Sequence, residues 1–189
     1  GRYQETIEII EKAITIKSPG GPTRCIIEGV SETAITVSSV RQGHCLLDGI
    51  GFRNNTITTE GNGLVKLEYS NVHLRNCQFK DNDLSVNEYI HHIMTIYICD
   101  FLISDCVISN NKGRQSLSQG IRITSSSGLI ENTILSSNTC DFSISGISST
   151  IELDMCHISA NSSRGVYTSN SNLQVTRSEI SGHLDGGVY

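Results

Sequence analysis

No apolar run in this sequence of 189 residues comes near the roughly 20 residues that a membrane-spanning helix needs. Positive charge is not in excess either. Fourteen Lys and Arg face 19 Asp and Glu, a formal net charge of -5, which argues against a nucleic-acid binder or a protein held on an anionic membrane. There is no Trp, only two Pro, and no CxxC pair or Cys/His spacing of a zinc site. Sequence signatures of phosphate-binding loops, GxSxG hydrolases and HExxH metalloproteases are missing. No signal peptide, transit peptide or lipid-anchor motif is visible. Hydrophobic residues make up 37% of the chain, which is enough for one domain with a sizeable core.

What is present is a repeat. The stretch Asn71 to Asn82, NVHLRNCQFKDN, places apolar residues at Val72, Leu74, Cys77 and Phe79. Each pair alternates with polar residues in strand fashion, and one extra residue separates the pairs. The pattern returns as Phe101, Ile103, Cys106, Ile108; as Gly128, Ile130, Thr133, Leu135; as Ile151, Leu153, Cys156, Ile158; and as Leu173, Val175, Ser178, Ile180. Upstream it fits Cys45, Leu47, Ile50, Phe52. The third members of these sets are 27, 29, 27, 23 and 22 residues apart, a solenoid period.

A further alternating pair precedes each set: Val65/Leu67, Met94/Ile96, Ile121/Ile123, Ile144/Gly146 and Val166/Thr168. Three short strands per repeat, each sending alternate residues to one axis, describe a coil. Stacked coils satisfy their backbone groups by parallel pairing with the next turn. The expectation is an all-β, single-stranded parallel β-helix of about seven turns with three strands per turn. The first two turns fit the pattern less cleanly than the rest.

Five positions after each anchor stands an asparagine: Asn55, Asn82, Asn111, Asn138 and Asn161, with His183 in the last turn. Stacked amides donate to one neighbour and accept from the other, and Asn tolerates the left-handed backbone of a sharp corner. The expectation is a structural ladder. Cys25, Cys77, Cys106 and Cys156 share the anchor column and read as a buried stack of small apolar residues.

Seven cysteines is an odd number, and unpaired thiols favour a reducing, intracellular compartment, cytoplasmic or nuclear. A disulfide between adjacent turns is geometrically open, since turns lie about 4.8 Å apart. Two glycosylation tripeptides, Asn54-Asn55-Thr56 and Asn161-Ser162-Ser163, leave an extracellular location open as well. The chain reads as one domain over residues 1–189. Gly1 begins without a capping segment, and Gly187-Val188-Tyr189 repeats the start of Gly165-Val166-Tyr167. Both ends are therefore expected to be uncapped, as in a piece of a longer chain or a unit that associates end to end.

The opening Gly1-Arg2-Tyr3-Gln4-Glu5, its alternating strand to Ile9, and Lys12-Ala13-Ile14-Thr15-Ile16 resemble the entry turn of right-handed β-helix proteins. The Asn-Cys-x-Phe-x-x-Asn turns resemble the same superfamily, the pectin lyase-like proteins and the repeats named for carbohydrate-binding proteins and sugar hydrolases. F-box proteins of the ubiquitin system carry β-helices that look similar. The resemblance implies a right-handed coil, and it implies two kinds of molecule: enzymes acting on acidic polysaccharides, and recognition scaffolds.

In polysaccharide-acting members the site lies on the outward face of the first strands. Here one outward column reads Lys66, Thr95, Arg122, Ser145, Tyr167 and its neighbour Glu68, Tyr97, Thr124, Ile147, Ser169. Lys66, Glu68, Tyr97, Arg122 and Tyr167 are the candidate ligand-binding residues, because cations and aromatic rings together hold acidic sugars or acidic peptides. An ordinary solvated face is the competing interpretation. Loops 83–92 and 112–119 are expected to form a rim carrying Glu88, His91, His92 and Arg114. A lyase would need a base, with calcium as the one cofactor in view, and a hydrolase would need paired carboxylates. Glu68 is the only acid in these columns. The function expected is recognition without catalysis, with a protein or an acidic polysaccharide as partner. The alternative is a lyase or epimerase, and a third reading is a structural spacer.

Overall fold

The computed structural model describes residues 1–58, 63–85, 90–114 and 118–189, and every regular element in them is a β-strand. The strands form three parallel sheets of seven, seven and eight members. In the first sheet the strands are Ile7–Ile10, Ile35–Ser38, Gly63–Glu68, His92–Tyr97, Gln119–Thr124, Phe142–Ile147 and Arg164–Ser169. The second sheet holds Thr15–Lys17, Cys45–Asp48, Asn71–Arg75, Asp100–Ser104, Ser127–Glu131, Thr150–Asp154 and Asn172–Thr176. The third runs from Arg2–Tyr3 through Gly51–Arg53 and Gln78–Lys80 to Glu179–Ser181.

Five coils, from Gly63 to Ser181, repeat strands of six, five and three residues. The two coils before them have shorter strands, so the expected seven turns are five full coils behind a less regular entry. Register is held throughout: Met94 pairs with Val65 and Ile121, Ile103 with Leu74 and Ile130, and Phe79 with Phe52 and Ile108. A slip by one residue would turn a whole apolar set to solvent, which is why one buried face fixes the register so firmly.

The core is the axis of the coil. Val65, Leu67, Leu74, Met94, Ile96, Ile103, Ile108, Ile123 and Ile151 are fully buried. Phe52 and Phe79 stack with ring centroids 4.6 Å apart and planes 5° from parallel. In the last coil Leu173, Val175 and Ile180 are only partly covered.

The corners explain the one-residue slip. Each full coil turns three times, and each turn holds one residue with positive φ: Tyr69, Asn76 and Asp81 in one coil, Ile98, Asp105 and Asn110 in the next. The residue after each carries the hydrogen bond to the neighbouring coil. At the third corner this is the asparagine ladder. The Nδ2 of Asn55, Asn82, Asn111 and Asn138 donates to the Oδ1 of the following asparagine at 2.9, 2.8, 2.8 and 3.0 Å. Each also donates to a carbonyl one coil back, as Asn82 does to Phe52 at 3.0 Å. The left-handed residues are Asn54, Asp81, Asn110, Ser137 and Ala160, one position earlier than expected. The ladder asparagines were chosen for their amides alone. His183 stands at the end of the column, its Nε2 3.1 Å from the carbonyl of Ile158.

The second corner is the anchor column. Cys77 and Cys106 are buried there, and the Cys77 amide meets Cys106 Sγ at 3.4 Å. Cys25 is only half-buried in the entry coil. The first corner carries a ladder that the pattern did not reveal. The amides of Val40, Cys99, Ser126 and Ser149 donate to the hydroxyls of Ser70, Ser126, Ser149 and Ser171 at 3.0 to 3.2 Å. Of the two glycosylation tripeptides, Asn54 is exposed, while Asn161 is locked into the ladder.

Candidate functional site

Strand alternation turns Lys66, Arg122 and Tyr167 outward in one column of the first sheet, where the register runs Thr36, Lys66, Thr95, Arg122, Ser145, Tyr167. Glu68 and Tyr97 are direct partners in the adjoining column. Lys66 and Arg122 are therefore two coils apart, roughly 10 Å, and Tyr167 lies about as far beyond Arg122.

These five residues do not act as one cluster. Lys66 Nζ is 3.0 Å from Glu68 Oε1, and both side chains keep about a quarter of their surface in solvent, 29% and 26%. The pair neutralises itself. Tyr97 meets Tyr69 edge to face, with centroids 5.4 Å apart and planes at 85°. Hydrogen bonding with Tyr97 is the main cause that lifts the Tyr69 phenol above its ordinary pKa. Tyr167 belongs elsewhere: its ring packs on Phe142 at 4.7 Å, under the Arg164 guanidinium that lies 5.1 Å over Phe142 and pairs with Asp141. Arg122 has no carboxylate partner among the described residues and stands between Thr95 and Ser145.

The expected rim is corrected in part. His91 and His92 are buried, at 0% and 3% exposure, and do not stand on a rim. His92 Nδ1 accepts from the Gln119 amide at 3.2 Å, so the neutral ring carries its proton on Nε2. The Arg122 guanidinium 3.5 Å from Nε2 is thus a contact between two donors and no hydrogen bond. Burial first, then the charge of Arg122, pushes the His92 pKa down to about 3. Arg114 is half-buried, and Glu88 lies outside the described residues.

Acidic groups sit away from this face or are already engaged. Buried Asp48, on the second sheet, holds Arg75 at 2.7 Å and Lys17 at 3.6 Å; the Arg75 hydrogen bond leads in keeping its pKa below the usual carboxylate range. Asp83 pairs with Lys112 at 3.4 Å, and Asp154 pairs with Arg177. Burial raises the thiols of Cys45, Cys99, Cys140 and Cys156, that of Cys140 to about 12, which removes them as nucleophiles. No group of three His, Cys, Asp or Glu is arranged to hold a metal ion among the described residues.

A feature that strand periodicity does not reveal lies at the first corner. A shallow groove of about 520 Å³ follows the coil axis there, between Tyr69 and Ile98 on one side and Asn71, Asp100, Ser127 and Thr150 on the other. A second hollow of about 320 Å³ continues it past His73, Leu129 and Glu152. The corner residues that shape it fall outside the inward-facing pattern, and only their exposure and backbone conformation mark them.

Residues 4–146 match the family described as Right handed beta helix region. No curated protein matches the chain. Among solved structures it is similar to the A-module of the mannuronan C-5 epimerase AlgE4 of Azotobacter vinelandii, at 10% identity and a TM-score of 0.31, over 94% of this chain and 69% of that one. It is also similar to the surface protein and adhesin PfbA of Streptococcus pneumoniae, at 10% identity and a TM-score of 0.25, over 87% of this chain and 66% of that one. The family match spans well over half of the sequence and accords with three parallel sheets wound into one coil: the chain belongs to the right-handed β-helix family.

Proposed function

We propose that this domain recognises an extended acidic macromolecule on the outward face of its first sheet and does no chemistry on it. The observation that carries this reading is the contrast between two cations. Lys66, one of the two cations a lyase could use as its base, is tied to Glu68 at 3.0 Å, whereas Arg122, the other, has no carboxylate partner among the described residues. A guanidinium with no carboxylate partner among the described residues can take a ligand carboxylate in bidentate fashion. Tyr97 supplies a ring one coil away in the adjoining column. The seven thiols, none in a disulfide, support work in a reducing compartment.

The test is titration with polygalacturonate, alginate and an acidic polypeptide, with and without calcium, while ultraviolet absorbance is followed for unsaturated product. Saturable binding that is lost in Tyr97→Ala/Arg122→Ala, without new absorbance, is the expected result. New absorbance would make the domain a lyase and overturn the proposal. Binding to none of the three polymers would overturn the acidic-ligand reading.

A further inference from the structure

The first corner of every coil holds one residue with positive φ. In most coils it is a residue suited to that place or at least polar: Glu11, Ser39, Ser125, Ser148 and Asn170. In two neighbouring coils it is Tyr69 and Ile98, with φ of 50° and 51°. A left-handed backbone is unfavourable for bulky side chains and most of all for a β-branched one. These two side chains are also 40% and 42% exposed, so burial returns little for the strain. Serine or asparagine would relieve the backbone strain at both positions, and strain of this kind gathers at functional sites.

What the two residues do form is one wall of the corner groove. The opposite wall is the column Asn71, Asp100, Ser127, Thr150, which stands in unbroken register at the head of the second-sheet strands. Its members follow at about 4.8 Å per coil. Behind them every ladder hydroxyl is spent: Ser70 donates to Glu68 O at 2.6 Å, Ser126 to Thr124 O at 2.8 Å, and Ser149 to Ile147 O at 2.8 Å. The side chains of Asn71, Asp100, Ser127 and Thr150 have no hydrogen-bond partner among the described residues, and all but Asn71 are exposed.

An aromatic ring and a hydrocarbon on one wall, facing a row of unspent amide, carboxylate and hydroxyl groups, complement a pyranose chain. Such a chain offers apolar C–H faces and rows of hydroxyls that both donate and accept. The charges decide which kind. Asp100 and, in the adjoining hollow, Glu152 outnumber Arg41, so an anionic chain is repelled where an uncharged one is not. We infer that the first-corner groove binds an uncharged oligosaccharide, with Tyr69 and Ile98 against its C–H faces and Asn71, Asp100, Ser127 and Thr150 on its hydroxyls. This inference does not rest on the first-sheet proposal, whose ligand has the opposite charge requirement.

The experiment is calorimetric titration of the chain with cellohexaose, mannohexaose and xylohexaose. It is repeated on Tyr69→Ser/Ile98→Ser, on Asp100→Asn/Ser127→Ala and on Arg122→Ala, with a melting curve for each. At least one hexasaccharide is expected to bind with Kd below about 1 mM and to lose about tenfold or more in each of the two groove variants. The Tyr69→Ser/Ile98→Ser variant is expected to melt at the same temperature or higher, and Arg122→Ala to bind as the parent does. Saturable binding by none of the three sugars would overturn the inference. So would binding retained in both groove variants. A clear fall in the melting temperature of Tyr69→Ser/Ile98→Ser would assign those residues to the fold, and unchanged binding by Asp100→Asn/Ser127→Ala would then complete the refutation. Loss of polyuronate binding in Arg122→Ala alone reports on the first sheet and leaves the groove unaffected.

Discussion

Asn82 Nδ2 donates to Asn111 Oδ1 at 2.8 Å, and the same oxygen accepts the Asn82 backbone amide at 3.2 Å. One side-chain oxygen thus satisfies two donors of the coil below, while Asn111 Nδ2 satisfies the carbonyl of Phe79 at 3.0 Å. Asn111 is 2% exposed, so water cannot replace these bonds. Asn111→Ala leaves two donors and one acceptor buried and unpaired. We expect a loss of about 3 kcal/mol or more in denaturant unfolding. A loss below about 1 kcal/mol would mean that the ladder is incidental to stability.

Ile108 tests the inward set directly. Its side chain is fully buried in the third sheet between Phe79 and Leu135. Ile108→Asp places a carboxylate on the axis with no cation to meet it, and we expect the loss to exceed about 4 kcal/mol, enough to unfold most single domains. An unchanged melting temperature would mean that residue 108 does not face the axis.

The two variants also mark what could be read from the sequence and what could not. Strand alternation around Val72, Leu74, Cys77 and Phe79 reports burial directly, because a period of two admits only one inward set. The ladder was legible because an amide column needs the same residue in every coil. The first-corner hydroxyls were not legible: Val40 and Cys99 interrupt the column that holds Ser70, Ser126, Ser149 and Ser171, and serine is common elsewhere in the chain. The left-handed positions were read one residue late, since Asp81, Asn110, Ser137 and Ala160 share no side-chain chemistry that a pattern could catch. His91 and His92 were read as rim residues, because a sequence does not say which loop residues a neighbouring coil will cover.

His92 makes the fold sensitive to acid. Its pKa falls to about 3 in the folded chain, against an ordinary value near 6.5. Above pH 6.5 both states hold the ring neutral and the contribution to stability is complete. As pH falls from 6.5 towards 3 the unfolded chain takes up a proton that the native chain refuses, so stability declines across that window. His92→Gln is expected to flatten the slope of unfolding free energy between pH 4 and 6.5. The same variant offers no relief below pH 3, where Asp48 and its Arg75 partner dominate: the lowered Asp48 pKa contributes stability that is present above the usual carboxylate value and lost as pH falls through the folded one. An ordinary imidazole titration near pH 6.5, followed by NMR, would contradict the buried neutral ring.

On the first sheet the Lys66–Glu68 pair and Arg122 make opposite predictions for a ligand of negative charge. Glu68→Gln removes the group that occupies Lys66 at 3.0 Å and removes a like charge from the ligand's path. Affinity for an acidic polymer is expected to rise several-fold, and the dependence on salt to steepen. Lys66→Ala is expected to lower affinity several-fold, because it leaves the Glu68 carboxylate unneutralised in the ligand's path, whereas Arg122→Ala costs about tenfold or more by removing a charge-assisted hydrogen bond. The order of the three variants is the diagnostic quantity, since a solvated face with no ligand gives no order at all. An enzyme that uses Lys66 as its base gives a different one, in which Lys66→Ala abolishes turnover and Glu68→Gln shifts its pH profile.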